Sequence, residues 1–470
     1  MLFPTVTFAA FFAVVYAANT FTRTRPVLWK RTMLVASYVF YGAWNWRYCA
    51  LLAGSTVVNW ILGYAIKGAR GSDRRLITII VVFANLSLLG TFKYYEFLVS
   101  GVTGMWEGFG VAPVLNLAIP VGISFFTFQA MSYVIDIHRG DLEPRSFLDF
   151  AVFLSFFPQL VAGPIVRATE FLPQLDDPNR GERVNISEAA WLIGRGLIKK
   201  TVVATYLAES VVDPVFAAPS QYSKAEVLQA AYGYAIQIYA DFSGYTDIAI
   251  GIALLLGFRF PTNFDNPYRA LSVQEFWRRW HMTLSRWLRD YLYISLGGNR
   301  GTKLLTYRNL VLTMVLGGLW HGAAWTFVVW GLAHGVLLSI ERLGGNSEPA
   351  PFGDTRSTLA AVVNGTRWFV TFNVICLTWI PFRSENFTLA GEFIRQLWVA
   401  PMSGPVNTVA VFLIVASLGA QLLPSNLGQK AMAIFSNMDL ALQSAVAGVA
   451  VFLILAIGPD GVAPFIYFQF

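Results

Sequence analysis

Apolar runs, several long enough to cross a hydrocarbon layer roughly 30 Å thick, recur from one end of this chain to the other. They begin at Leu2 to Ala18 and continue near Met33 to Trp44, Ala50 to Ile66, Leu76 to Leu89, Val114 to Ile135, Ala189 to Val212 and Gln229 to Phe258. Later runs are Asn309 to Trp320, Ala323 to Ile340, Leu359 to Ile380, Val406 to Leu423 and Leu440 to Ile457. Within lipid the backbone must satisfy its own polar groups, which makes helices the natural way to fold such segments. The chain is 56% hydrophobic and 13% charged, against roughly 25% charge in soluble domains. Its mean hydropathy is +0.54. A soluble enzyme is therefore excluded. The expected fold class is all-α integral membrane, with about 11 to 13 transmembrane or re-entrant helices.

Charge sets the expected orientation. Leu2 to Ala18 lacks a basic region before it and a cleavage site after it, so it reads as the first span and not as a cleaved signal. Arg23, Arg25, Lys30 and Arg31 follow it, and a second basic loop holds Lys67, Arg70, Arg74 and Arg75. Short cytoplasmic loops collect such residues, which puts the N-terminus outside. Phe147 to Leu175 contains Pro158, Gly163, Pro164 and Pro173 and is expected to be kinked or re-entrant. Ala189 to Val212 carries Arg195, Lys199 and Lys200 and reads as amphipathic before it crosses. No repeat or pair of inverted halves is visible, so residues 1–470 read as one membrane domain. The net charge of +7 reports orientation, and no nucleic-acid module accompanies it. Cys49 and Cys376 lack metal or redox spacing and read as packing residues.

Polar groups inside the apolar pattern mark the candidate site. Residues 259–308 hold nine basic and three acidic side chains, a density expected of a cytoplasmic segment. Within it, WRRWHMTLSRWLRDYLY repeats Trp277, Trp280, Leu284, Trp287, Leu288 and Tyr291 at three- and four-residue steps, as an amphipathic interfacial helix does. His281 there reads as an interfacial packing or hydrogen-bonding residue, with catalysis as the alternative. The arginines are also placed to steer an anionic thioester donor.

His321, in LGGLWHGAAW, has another setting. Thirteen residues beyond Arg308, it is expected roughly 20 Å into the membrane at about 1.5 Å per residue. Gly317, Gly318 and Gly322 allow close backbone approach or a helix break, and Ala323 and Ala324 leave space. An ionisable group at that depth lines a cavity, or is a neutral histidine bonded to a carbonyl. His334 reads as structural. In QIYADFSGYTDIAIG, Asp241 and Asp247 are six residues apart and on different helix faces unless Gly244 breaks the helix. Each is expected to pair with an Arg or His elsewhere, or to orient a catalytic histidine.

QIYADFSGYTDIAIG, FWRRWHMTLSRWLRDYLYISLGGNRG and LGGLWHGAAWTFVVWGLAHG, with PVGISFFTFQAMSYVIDIHRG and FFPQLVAGPI ahead of them, resemble the membrane-bound O-acyltransferase (MBOAT) family. Within it they look most like the AlgI-like polysaccharide O-acetyltransferase branch, with the DltB branch of teichoic-acid D-alanylation as a relative. The resemblance implies a funnel-shaped helical protein with a central tunnel, through which donor and acceptor approach from opposite faces. It matches His321 and His281 to the family's two functional histidines.

The implied reaction moves an acyl group, acetyl above all, from a cytoplasmic thioester such as acetyl-CoA toward hydroxyls of an exported alginate-like or cellulose-like polysaccharide. Neutral imidazole suits the base in that reaction. No bound cofactor and no metal are expected. The implied partners are the lipid bilayer, the polysaccharide and an extracytoplasmic acetyltransferase or esterase-like protein, in the bacterial cytoplasmic (inner) membrane. The tail at residues 459–470, expected outside, ends Phe465-Ile466-Tyr467-Phe468-Gln469-Phe470. It reads as an aromatic anchor, yet also resembles the terminal motif of the small membrane partner in D-alanylation, which implies Tyr467 as an acyl-accepting shuttle. A transporter or channel using the buried His and Asp residues, or a non-catalytic scaffold of a polysaccharide export complex, are the alternatives.

Overall fold

The computed structural model describes residues 1, 3–103, 118–177, 180–344 and 358–457, and all regular secondary structure among them is helical. Among the described residues, five helices are long and apolar enough to cross a membrane: Arg47–Gly68, Gly71–Lys93, Lys224–Leu255, Trp325–Leu343 and Thr358–Arg383. A sixth span results if the pair Thr408–Leu422 and Asn426–Asn437, bent by 95°, counts as one. Much of the remaining apolar sequence forms shorter or broken helices. Phe147 to Leu175, for example, becomes Phe147–Ser155, Phe157–Leu160 and Ala168–Leu175, interrupted just before Pro158 and around Gly163 and Pro164, whereas Pro173 sits inside the last of these helices.

The chain divides into two compact units. The first takes Met1–Ile193 with Thr246–Pro261. In it, Asn59 and Asn85 exchange side-chain hydrogen bonds of 3.1 and 2.8 Å, tying Arg47–Gly68 to Gly71–Lys93. Such reciprocal amide bonds satisfy two polar side chains that lipid or an apolar core would otherwise leave costly. Gly122 has φ +77°, and a Cβ there would lie 2.3 Å from the Leu160 carbonyl oxygen. Trp29, Phe156, Phe171 and Phe258 stack in the same unit, and the Arg180 guanidinium lies 3.8 Å from the Trp29 ring centre.

The second unit holds Gly194–Tyr245 and the described residues from Thr262 onward. Helix Lys224–Leu255, which gives this unit its Lys224–Tyr245 portion, has 89% of its most apolar window buried. It is a core helix, where the other long helices keep most of that window outward-facing. Helices Lys303–His321 and Trp325–Leu343 form a tight hairpin because glycines replace side chains where the backbones meet. A Cβ on Gly318 would lie 2.2 Å from the Phe327 carbonyl oxygen, and one on Gly331 2.3 Å from that of Met314. Gly318→Ala is therefore expected to destabilise the fold by about 1–3 kcal/mol, the usual cost of overpacking. A thermal-unfolding curve identical to that of the parent protein would refute the close-packing account.

Candidate active site

The hairpin positions His321. The first helix ends at this residue, and Gly322 continues in extended backbone. A Cβ on Gly322 would lie 2.0 Å from the Phe327 ring, so glycine is required for the chain to leave the helix in this direction. The sequence expectation of a break beside close-packing glycines thus holds. His321 is 4% exposed. Its ring meets those of Trp320, Trp330 and Phe382 edge-on at 5.1, 5.3 and 5.3 Å between centres. Aromatic walls of this kind exclude water and strengthen electrostatic interactions made inside them.

His281 comes from a different kind of element. The single amphipathic helix expected over WRRWHMTLSRWLRDYLY is broken. Val273–Arg279 and Met282–Trp287 are separate helices joined by extended Trp280 and by His281 at φ +41°, ψ +53°. Left-handed backbone is unusual for a residue with a side chain and persists only when its surroundings hold it. Asn263 is the holder: its carbonyl accepts the Met282 N–H at 2.9 Å, and its side-chain Oδ1 accepts the Thr283 N–H at 3.2 Å. The apolar positions of the segment also face protein, with Trp280, Leu284, Trp287, Leu288 and Tyr291 all buried. Three- and four-residue spacing reports an apolar stripe, and it does not say whether lipid or protein covers it.

The two histidines share a neighbour. The His281 ring lies 6.1 Å from Trp320 and 4.6 Å from Phe242, both edge-on. Trp320 also packs on His321, so one indole carries both imidazoles. His281 is fully buried, and burial lowers its imidazole to about 3. It is therefore neutral at physiological pH.

His334 is hydrogen-bonded through both ring nitrogens, an arrangement in keeping with its structural reading. Trp277 Nε1–H donates to its Nδ1 at 3.2 Å. An indole has only a proton to offer, so Nδ1 is the acceptor and Nε2 carries the hydrogen, which is donated to Thr378 Oγ1 at 3.1 Å. Thr378 passes its own hydrogen to the Ile375 carbonyl at 2.8 Å. Both ring nitrogens are thus occupied. His334 packs 4.8 Å from Trp330, the indole that walls His321.

Other sequence expectations divide. Lys224–Leu255 is continuous through Gly244, so Asp241 and Asp247 do not form a dyad on one helix face. Asp241 forms a buried ion pair with Lys200. Tyr467 lies outside the described residues. Three residues that sequence reasoning passed over join the site: Asn263, Trp320 and Trp330. The signal available for Asn263 was its place as an amide among the aromatic and apolar residues preceding WRRWH.

Comparison with known proteins covers this region of the chain. The model of the membrane-bound O-acyltransferase family matches residues 123–380, which contain His281, His321 and His334. The chain is 43% identical over 375 residues to the probable alginate O-acetylase AlgI of Pseudomonas aeruginosa, covering 78% of this chain and 69% of that protein. It is 39% identical over 400 residues to the peptidoglycan O-acetyltransferase of Helicobacter pylori, covering 79% and 73%. To the teichoic acid D-alanyltransferase of Streptococcus thermophilus it is 30% identical over 307 residues, covering 62% and 71%. A multipass helical protein with this match is an O-acyltransferase, and the chain belongs to the membrane-bound O-acyltransferase family.

Proposed function

We propose that the protein moves an acetyl group from a cytoplasmic thioester, such as acetyl-CoA, toward hydroxyls of an exported polysaccharide. The observation that carries this reading is the pairing of His281 and His321 on Trp320 in a buried aromatic setting inside the family region. His321 acts as the general base. The acceptor hydroxyl oxygen attacks the thioester carbonyl carbon while its proton passes to the imidazole; the C–S bond then breaks, and the departing sulfur takes up a proton to leave as a thiol. A polysaccharide acceptor is favoured by relatives named for alginate and peptidoglycan O-acetylation. The setting is a bacterial cytoplasmic membrane, with both chain ends outside by the positive-inside rule. An extracytoplasmic acetyltransferase or esterase-like partner completes delivery to the polymer.

Tyr467 is the first acceptor in this reading and carries the acetyl ester to that partner. The test is a reconstituted system with a labelled acetyl thioester inside proteoliposomes and the polymer outside. Label is expected on the polymer, and intact-mass measurement is expected to find an acetyl group on Tyr467. Tyr467→Phe should lower polymer labelling at least tenfold, about 1.4 kcal/mol of lost coupling, without altering protein yield. Undiminished labelling by that variant would leave the tail as an aromatic anchor alone, and absence of label with every acetyl thioester tried would overturn the donor assignment.

A further inference from the structure

We infer that Asn263 is a positioning residue for acyl transfer, which fixes His281 as the Nδ1–H tautomer and leaves its Nε2 a bare hydrogen-bond acceptor in the aromatic setting it shares with His321. The inference rests on the reading above that the His281–His321 pair on Trp320 is the site of acyl transfer.

The proton assignment follows from donors that admit no choice. Asn263 Oδ1 receives the backbone N–H of Thr283 at 3.2 Å and lies 2.9 Å from the Thr283 hydroxyl, which donates to it. A backbone N–H only donates, so the atom facing it is the amide oxygen and not the amide nitrogen. That same oxygen is 3.1 Å from His281 Nδ1. An amide oxygen only accepts, so Nδ1 must carry the hydrogen. A neutral imidazole has one N–H, and Nε2 is therefore the bare lone pair. Nε2 is buried and has no hydrogen-bond partner among the described residues.

The surroundings preserve this state. The groups packed on the ring are Asn263, Phe242, Phe264 and Trp320, none of which is charged. The titratable groups one contact removed from the ring are His321, packed on Trp320, and Tyr239, packed on Phe264. The left-handed backbone of His281 brings its ring back toward Asn263, while Met282 N–H to the Asn263 carbonyl closes the other side of the clamp. A buried nitrogen with only a lone pair receives a hydrogen bond and gives none. His281 is thereby assigned an accepting part in the site, while the acceptor hydroxyl's proton passes to His321. His281 is excluded from the oxyanion side, where donors are needed.

The chain has four histidines, which makes selective labelling of their ring nitrogens tractable. In purified protein reconstituted in lipid, His281, assigned by loss of its signals in His281→Gln, is expected to show a protonated Nδ1 and an unprotonated Nε2 at neutral pH. A protonated Nε2 would overturn the inference. Asn263→Asp keeps the shape and the acceptor but places a carboxylate on Nδ1, which favours imidazolium. Since neutral His281 is the working form, acyl transfer by Asn263→Asp should be lost in step with protonation of its His281 Nε2, followed by the nitrogen signals of the same protein. Transfer that persists after Nε2 is protonated would also overturn the proposal. His281→Ala separates the two readings. If it retains full activity, His281 has no part in transfer and both fall. If it is inactive while Nε2 proves protonated, only the Asn263 inference falls.

Discussion

His321→Ala is expected to lower acyl transfer by about 10²- to 10⁴-fold, the range that a positioned general base contributes. The acceptor hydroxyl loses its proton far less readily than a carboxylic acid does, so attack without a base is slow at neutral pH. Folding should survive the change. The hairpin is held by backbone contact at Gly318 and Gly331, and the imidazole takes no part in those contacts. Thiol release from the donor, measured on purified protein in lipid nanodiscs, reports the chemical step without requiring the polymer. His334→Ala is the informative comparison, because it removes a histidine bonded through both ring nitrogens to Trp277 and Thr378. Its expected defect is a lower unfolding temperature with the pH profile unchanged. Full transfer activity in folded His321→Ala protein would remove His321 from the reaction.

The difference between these histidines shows what was legible in the chain. His321 could be found because glycines and alanines cluster around an ionisable residue in an apolar run, and such clusters imply close backbones and a cavity. The hairpin that results has the expected break at Gly322. His334 has the same kind of setting, with Gly331, Ala333 and Gly335 beside it, and what sets it apart is the hydrogen bonding of both ring nitrogens to Trp277 and Thr378. His281 was harder. Its sequence neighbours repeat at helical spacing, and nothing in that pattern announces the left-handed turn at His281. The turn is imposed by Asn263, eighteen residues earlier, through hydrogen bonds that local spacing does not encode. The same limit applies to Lys200, which read as part of an interfacial stripe and is buried beside Asp241. Family membership decides for an enzyme over a transporter or a scaffold. The acceptor, by contrast, depends on chemistry that the hairpin alone does not specify.

The largest stability effect is expected at Lys200 and Asp241. Their side chains are 2% and 5% exposed and form an ion pair in the second unit. Lys200 sits in the π-helical turn Ile198–Ala204, a second π-helical turn follows at Ala208–Val212, and Asp241 sits on the core helix Lys224–Leu255. These elements approach closely: a Cβ on Gly244 would lie 2.8 Å from the Gly196 carbonyl oxygen and 3.1 Å from Lys199 Cβ. A wider π turn changes which residues face a neighbour, and here Lys200 is the one that reaches the acid. Lys200→Met leaves the Asp241 carboxylate buried without its cation. Breaking a buried pair from one side costs about 3–5 kcal/mol, because the remaining charge loses the cation that offset its removal from water. Replacing both, as Lys200→Met with Asp241→Leu, removes the charge and the need for it, so most of the lost stability should return. Thermal unfolding in detergent distinguishes these cases: a large fall for Lys200→Met and recovery in the double variant are expected. Equal unfolding temperatures for the parent and Lys200→Met would mean that the pair does not hold the π-helical turn to the core helix.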